Sequence, residues 1–275
     1  MINKILVAID FSDAAVNALE HAVNLAEKAK ADVRLVWVNK PESANEIFET
    51  MPDNITKEVN KRFEALVKKY QPSMSENKMD YKIREGKIYR EIVHEAKSWQ
   101  AGLIIAGTHG ASGFEEFWAG SNANKIVSAT DLPVITIRGG VDIGRDLNTI
   151  VMPIDSTPET RQKAQVTAEF AKYFDAEIHV LALHTTNISA VRDLVDSYAR
   201  QVITFLEDDG VRCRLEKLDA INLTRETIDY AIKVDANLIS IMTEQEKTTS
   251  NLWLGPYASQ MVNHCPIPVL SVHAV

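Results

Sequence analysis

Short unbroken apolar runs alternate along the chain with longer stretches whose apolar positions recur at helical spacing. Ile5–Ile9 is a continuous apolar run, the pattern of a strand covered on both faces. Ala15, Leu19, Ala22 and Ala26 then recur at spacings of four, three and four, which places one apolar stripe on a helix that Ser12 or Asp13 can cap. Val33–Val38 predicts a second strand. A longer amphipathic helix follows, with Ile55, Val59, Phe63, Leu66 and Tyr70 on one face and Asp53 or Asn54 near its start. Tyr81–Arg84 predicts a third strand, and Ile88, Ile92, Val93 and Ala96 mark another helix. Leu103–Ala106, Ser121–Thr130 and Pro133–Ile137 then read as strand, short helix and strand. Such alternation predicts an α/β fold: a five-stranded parallel sheet with helices on both faces, Rossmann-like, and ligands at the carboxyl ends of the strands.

The whole pattern occurs twice. Lys4–Asp10 (KILVAID) matches Thr149–Asp155 (TIVMPID) at an offset of 155 − 10 = 145, and Ala31–Leu35 matches Ala176–Val180 at the same offset. Later the offset is 135, pairing Leu103-Ile104 with Leu238-Ile239, Trp118 with Trp253, Gly120 with Gly255, and Pro133-Val134 with Pro268-Val269. The second copy, whose long helix face carries Ile188, Val191, Val195, Tyr198 and Val202, is therefore about ten residues shorter in its middle. The expected domains are 1–140 and 146–275. Residues 139–145, with three glycines close to charged residues, suit an exposed linker.

Composition narrows the function. The 275 residues are 45% hydrophobic and 25% charged, enough apolar content for a sizeable core. Thirty Lys and Arg against 38 Asp and Glu give a net charge of −8, without the cationic surplus that nonspecific DNA or RNA binding or an anionic membrane surface needs. The N-terminal apolar run is too short for a secretion signal, and no run approaches a membrane span. Two cysteines, Cys213 and Cys265, exclude a disulfide scaffold and fit a reducing compartment. The expectation is a soluble cytoplasmic protein.

Candidate chemistry gathers at predicted strand ends of the first copy. Asp10 closes the first strand, where it can cap the next helix or accept hydrogen bonds from ribose hydroxyls or an amine. Gly107-Thr108-His109-Gly110 closes the fourth, and after nine residues Gly120-Ser121 opens a helix. Glycines let backbone N–H groups approach a ligand, and a helix start favours an anion, so a G-x-x-G-x₉-G-S element suits phosphate. The same glycines also serve as ordinary strand-to-helix turns. His109 reads as a loop residue, and Phe114, Phe117 and Trp118 as packing under the loop. In the second copy Met242 and Gln245 replace Gly107 and Gly110, Glu244 replaces His109, and Pro256, without a backbone N–H, replaces Ser121. Asp155 and Gly255 persist, and nucleotide binding by that copy is not expected. Neither a G-x-x-x-x-G-K-[ST] loop nor a G-x-G-x-x-G element is present, nor histidine spacing for zinc. Phe114 breaks the pattern of a nucleophile elbow. Cys265 reads as structural and Cys213 as an inward strand residue. With no Lys or Arg between Gly107 and Gly120, binding is expected over efficient hydrolysis, and no catalytic or metal-ligating residue is assigned.

The glycine element, Ile9-Asp10-Phe11-Ser12 and Leu132-Pro133-Val134 resemble the universal stress protein family, and the resemblance covers essentially the whole chain as two tandem domains. It implies ATP, or ADP or AMP, with or without Mg²⁺, as cofactor in the first domain. By the same resemblance Asp10 would contact ribose or adenine, with the backbones of Ala8 and Val38 bordering the adenine. Gly107, His109 and Gly110 would wrap ribose and phosphates, and Gly120, Ser121 and Asn122 would hold the phosphates. Where relatives carry basic residues, this chain has Glu115 and Glu116, so modest affinity is expected. The resemblance further implies that Val134–Ile137 and Val269–Val272 pair as an internal pseudo-dimer, with homodimerisation left open. A ligand-free interaction protein and a slow ATPase are the alternative readings.

Overall fold

The computed structural model describes residues 2–39, 52–108, 121–140, 147–243 and 254–274. The first half runs β1 (Lys4–Ala8), α1 (Asp13–Ala29), β2 (Asp32–Asn39), α2 (Pro52–Tyr70), β3 (Met79–Glu85), α3 (Ile88–Trp99), β4 (Leu103–Thr108), α4 (Ser121–Ala129) and β5 (Val134–Arg138). The second runs β6 (Thr149–Ile154), α5 (Lys163–Phe174), β7 (Glu177–His184), α6 (Ser189–Asp208), β8 (Cys213–Asp219), α7 (Leu223–Lys233), β9 (Leu238–Thr243), α8 (Pro256–His264) and β10 (Val269–His273).

All ten strands form one sheet, in the order β3-β2-β1-β4-β5-β10-β9-β6-β7-β8. Pairing within each half is parallel. At the junction β10 runs antiparallel to β5, with Leu270 opposite Ile135 and Thr136 opposite Val269. The pairing of final strands that the resemblance implied is thus present, and it makes the two five-stranded sheets continuous. In β1, Ile5 and Val7 face a core shared with α1 and α2, whereas Leu6 faces one shared with α3 and α4. Both faces are dry, which explains why the strand sequence does not alternate. Helices α5 and α6 continue the first core layer, and α7 and α8 the second.

In each half the chain leaves the first strand toward one edge and returns to begin the fourth on the other side, so β1/β4 and β6/β9 are reversal points of strand order. A crevice opens beyond the strand ends at such points. At the first, Asp10 Oδ1 accepts hydrogen bonds from the Ser12 amide (2.9 Å) and hydroxyl (2.5 Å), and Ser12 Oγ accepts from the Ala15 amide (3.2 Å) to cap α1. Phe11, between them, has a left-handed φ of 63°. Its ring lies 5.0 Å from that of Phe63, which is fully buried and stacked on Tyr81 at 4.6 Å. Phe63→Ala is expected to cost about 3–5 kcal/mol, read as a lower urea midpoint at unchanged m-value.

Candidate functional site

The first crevice brings together five of the residues the sequence singles out: Ala8, Asp10, Val38, Gly107 and Asn122 line one cavity of about 130 Å³. His109, Gly110 and Gly120 lie outside the described residues, and Ser121 is described as the first residue of α4. Ile88, Ile92 and Ile126 supply an apolar wall. Asp10 is exposed, and both its bonds to Ser12 use Oδ1. Its two expected roles are therefore compatible: one oxygen braces the helix cap while the carboxylate stands beside the crevice. Among the described residues this is a slot with apolar walls and an acceptor-rich corner at Asp10, suited to a flat ring with a hydroxylated substituent.

Gly107 has a packing reason the sequence did not expose. A Cβ there would lie 2.6 Å from the Ala14 carbonyl oxygen and 2.7 Å from its carbon. The first turn of α1 therefore rests directly on β4, and only glycine permits it. Gly107→Ala is expected to lose about 1–3 kcal/mol through overpacking, seen as a lower melting temperature. A melting temperature equal to that of the unaltered protein would show that the contact yields without cost.

The second crevice departs from the first at this contact. Met242 stands where Gly107 would, and the counterpart of Asp13, at 13 + 145 = 158, does not begin an α-helix. Pro158–Arg161 forms a 3₁₀ turn, and α5 begins at Lys163 and ends at Phe174, the counterpart of Ala29. The second copy keeps the element order of the first but not this first helical turn. A methionine side chain leaves no room for an α-helical turn as close as the one over Gly107, and the turn here is 3₁₀ instead. The Asp10 corner survives, because Asp155 Oδ1 accepts from the Thr157 amide (2.8 Å) and hydroxyl (2.6 Å).

Around this rebuilt turn lies a cavity of about 410 Å³, lined by Asp155, Thr160, Lys163, Leu183, Met242 and Tyr257 among others. Thr160, Lys163 and Thr167 occupy the positions held in α1 by Ala15, Ala18 and Ala22. Lys163 is 1% exposed, and its Nζ donates to the Thr160 carbonyl (2.5 Å) and hydroxyl (3.3 Å). Thr167 Oγ1 and Ser240 Oγ share a hydrogen bond of 2.7 Å. Burial pushes the Lys163 ammonium down to about 7, with the Asp155 charge opposing. Burial likewise pushes the Tyr257 hydroxyl up. Sequence reasoning did not single out Lys163; its one signal is a lysine inside the apolar stripe of the repeat. Of the cysteines, Cys265 is buried with its thiol pushed up to about 11, and Cys213 is partly buried against the first core layer. Among the described residues no cluster of His, Cys, Asp and Glu could hold a metal ion, and no helix is long and apolar enough to cross a membrane.

The lysine makes stability depend on pH. Between about 7 and about 10.4 the unfolded chain binds the Lys163 proton more tightly than the folded one, so stability from this group rises with pH across that window. Below it the desolvation cost is complete. The stability difference between the unaltered protein and Lys163→Met is expected to shift in favour of the unaltered protein as pH rises through the window, measured by urea unfolding at several pH values.

The model of the universal stress protein family matches residues 1–138 and again 147–273. The chain is 29% identical over 148 residues to universal stress protein YxiE of Bacillus subtilis, covering 50% of this chain and all of that one. It is 26% identical over 143 residues to universal stress protein MJ0531 of Methanocaldococcus jannaschii, covering 49% of this chain and 81% of that one. A universal stress protein from Archaeoglobus fulgidus shares the fold over 99% of both chains, with a TM-score of 0.80 at 16% identity.

Proposed function

The chain belongs to the universal stress protein family as two tandem domains, and on that premise we propose that its N-terminal domain binds ATP or another adenine nucleotide as a stress-response state, while its C-terminal domain does not. The observation that carries this reading is the convergence of Ala8, Asp10, Val38, Gly107 and Asn122 on one crevice at the reversal point of strand order. The apolar slot takes the base, and the Asp10 carboxylate accepts from the ribose hydroxyls. The start of α4, preceded in sequence by Gly120, offers its amides to phosphate. Residues 108–119 contain no Lys or Arg, which favours holding the nucleotide over hydrolysing it. Occupancy would stabilise the folded chain by mass action, so nucleotide level could be read as protein lifetime in the cytoplasm.

In the second crevice Met242 replaces Gly107, and Pro256, at the start of α8, has no amide hydrogen to offer. Equilibrium dialysis against millimolar ATP with Mg²⁺ tests the asymmetry. Asp10→Ala is expected to weaken retention by about tenfold or more, since hydrogen bonds to a charged group contribute about 1.5–3 kcal/mol. Asp155→Ala is expected to leave it unchanged. No retention by the unaltered protein, or equal loss from both variants, would refute the reading.

A further inference from the structure

The second crevice is larger than the first and carries a buried amine. Lys163 lines it from the start of α5, and the Nζ hydrogen bonds to Thr160 go to uncharged oxygens. The cavity reaches the surface, because the exposed Glu159 also lines it. Its charges restrict the occupant. Asp155 at the end of β6 and Glu159 in the 3₁₀ turn repel an anion, and Pro256 removes an amide that would hold one. A protonated Lys163 repels a cation. Leu183, Leu223 and Ala258 line the same space with apolar surface. An uncharged molecule with an apolar body and one polar, amine-complementary group meets all of these conditions.

We propose that this crevice is a second small-molecule site, which takes a small uncharged aldehyde and binds it covalently through Lys163. The lone pair of the neutral amine forms a C–N bond to the carbonyl carbon, and the C=O π pair moves to oxygen. Oxygen gains a proton as nitrogen loses one; the carbinolamine then expels water and leaves an imine. One aldehyde and one amine thus give one imine and one water, with no oxidant or reductant. The amine must be neutral to react. Burial among Thr160, Thr167 and the apolar wall favours the neutral form, as does a place at the positive end of α5. Asp155 opposes it, and Tyr257, which lines the crevice from α8 as Glu159 does from the 3₁₀ turn, has its hydroxyl pushed up and stays uncharged. This crevice lies in the opposite half of the sheet from the proposed nucleotide site, and neither needs the other.

The test is reductive trapping on the whole chain. Butyraldehyde and cyanoborohydride are added near neutral pH for a limited time, and hydride delivery to the imine carbon leaves a stable butyl-lysine for peptide mapping. Lys163 is expected to take the first equivalent at least about tenfold faster than exposed lysines, whose ordinary pKa of about 10.4 keeps them almost fully protonated. Lys163→Arg, which keeps a cation but forms no such imine, is expected to lose this fast phase alone. An unmodified Lys163 while exposed lysines react would overturn the proposal, and so would a fast lysine phase, mapped apart from the α-amino terminus (ordinary pKa about 7.7–8.0), that survives in Lys163→Arg.

Discussion

The first turn of helix α1 sits on β4 at Gly107 with no side chain between them, and the shape of the first crevice follows from that contact. A methyl group at Gly107 would strike the Ala14 carbonyl. Because the helix can come this close, its first turn is α-helical, Ser12 caps it, and Asp10 braces the cap at the crevice. The result is a narrow slot. Where Met242 denies the approach, the turn becomes 3₁₀, α5 starts late and the cavity is about three times larger, 410 against 130 Å³. The loss of glycine at this one strand position thus goes together with a late helix start and a wider cavity in the second copy.

The junction of the halves is the second constraint. Antiparallel pairing of β10 with β5 removes one edge from each five-stranded sheet and leaves β3 and β8 as the outer edges. Those edge strands are the most polar: β3 (MDYKIRE) and β8 (CRLEKLD) each carry four charged residues, whereas β1 and β6 are apolar throughout their centres. Within one continuous sheet the two crevices are separate, each at its own reversal point, so one can change its chemistry without disturbing the other.

Much of this was legible in sequence because the physics was local. Ile5–Ile9 announced a strand covered on both faces, and the α1 stripe announced one buried helix face; both are present, with bounds shifted by about a residue. Edge strand β3 extends beyond the apolar signal at Tyr81–Arg84, to Met79–Glu85, because its ends are held by backbone pairing with β2. Asp10 and Gly107 stood out because the glycine motif and the strand ends coincide, whereas Ala8, Val38 and Asn122 came only from the family resemblance; all five line one crevice. The late start of α5 was not legible, since the strand beneath it, β9, carries Met242 in place of a glycine some eighty residues away in sequence. Lys163 was hidden for a related reason. A lysine in an apolar stripe reads as a surface position until the cavity beside it is seen.

On the proposed reading, two related crevices in one sheet differ in ligand, with nucleotide confined to the first. Backbone amide chemical-shift mapping during titration with ATP and Mg²⁺ addresses both crevices in one experiment. Saturable shifts at Ala8, Asp10, Val38 and Gly107, with none at Asp155, Leu183 and Met242, are the predicted result. Shifts at both sets, or only at the second, would contradict it.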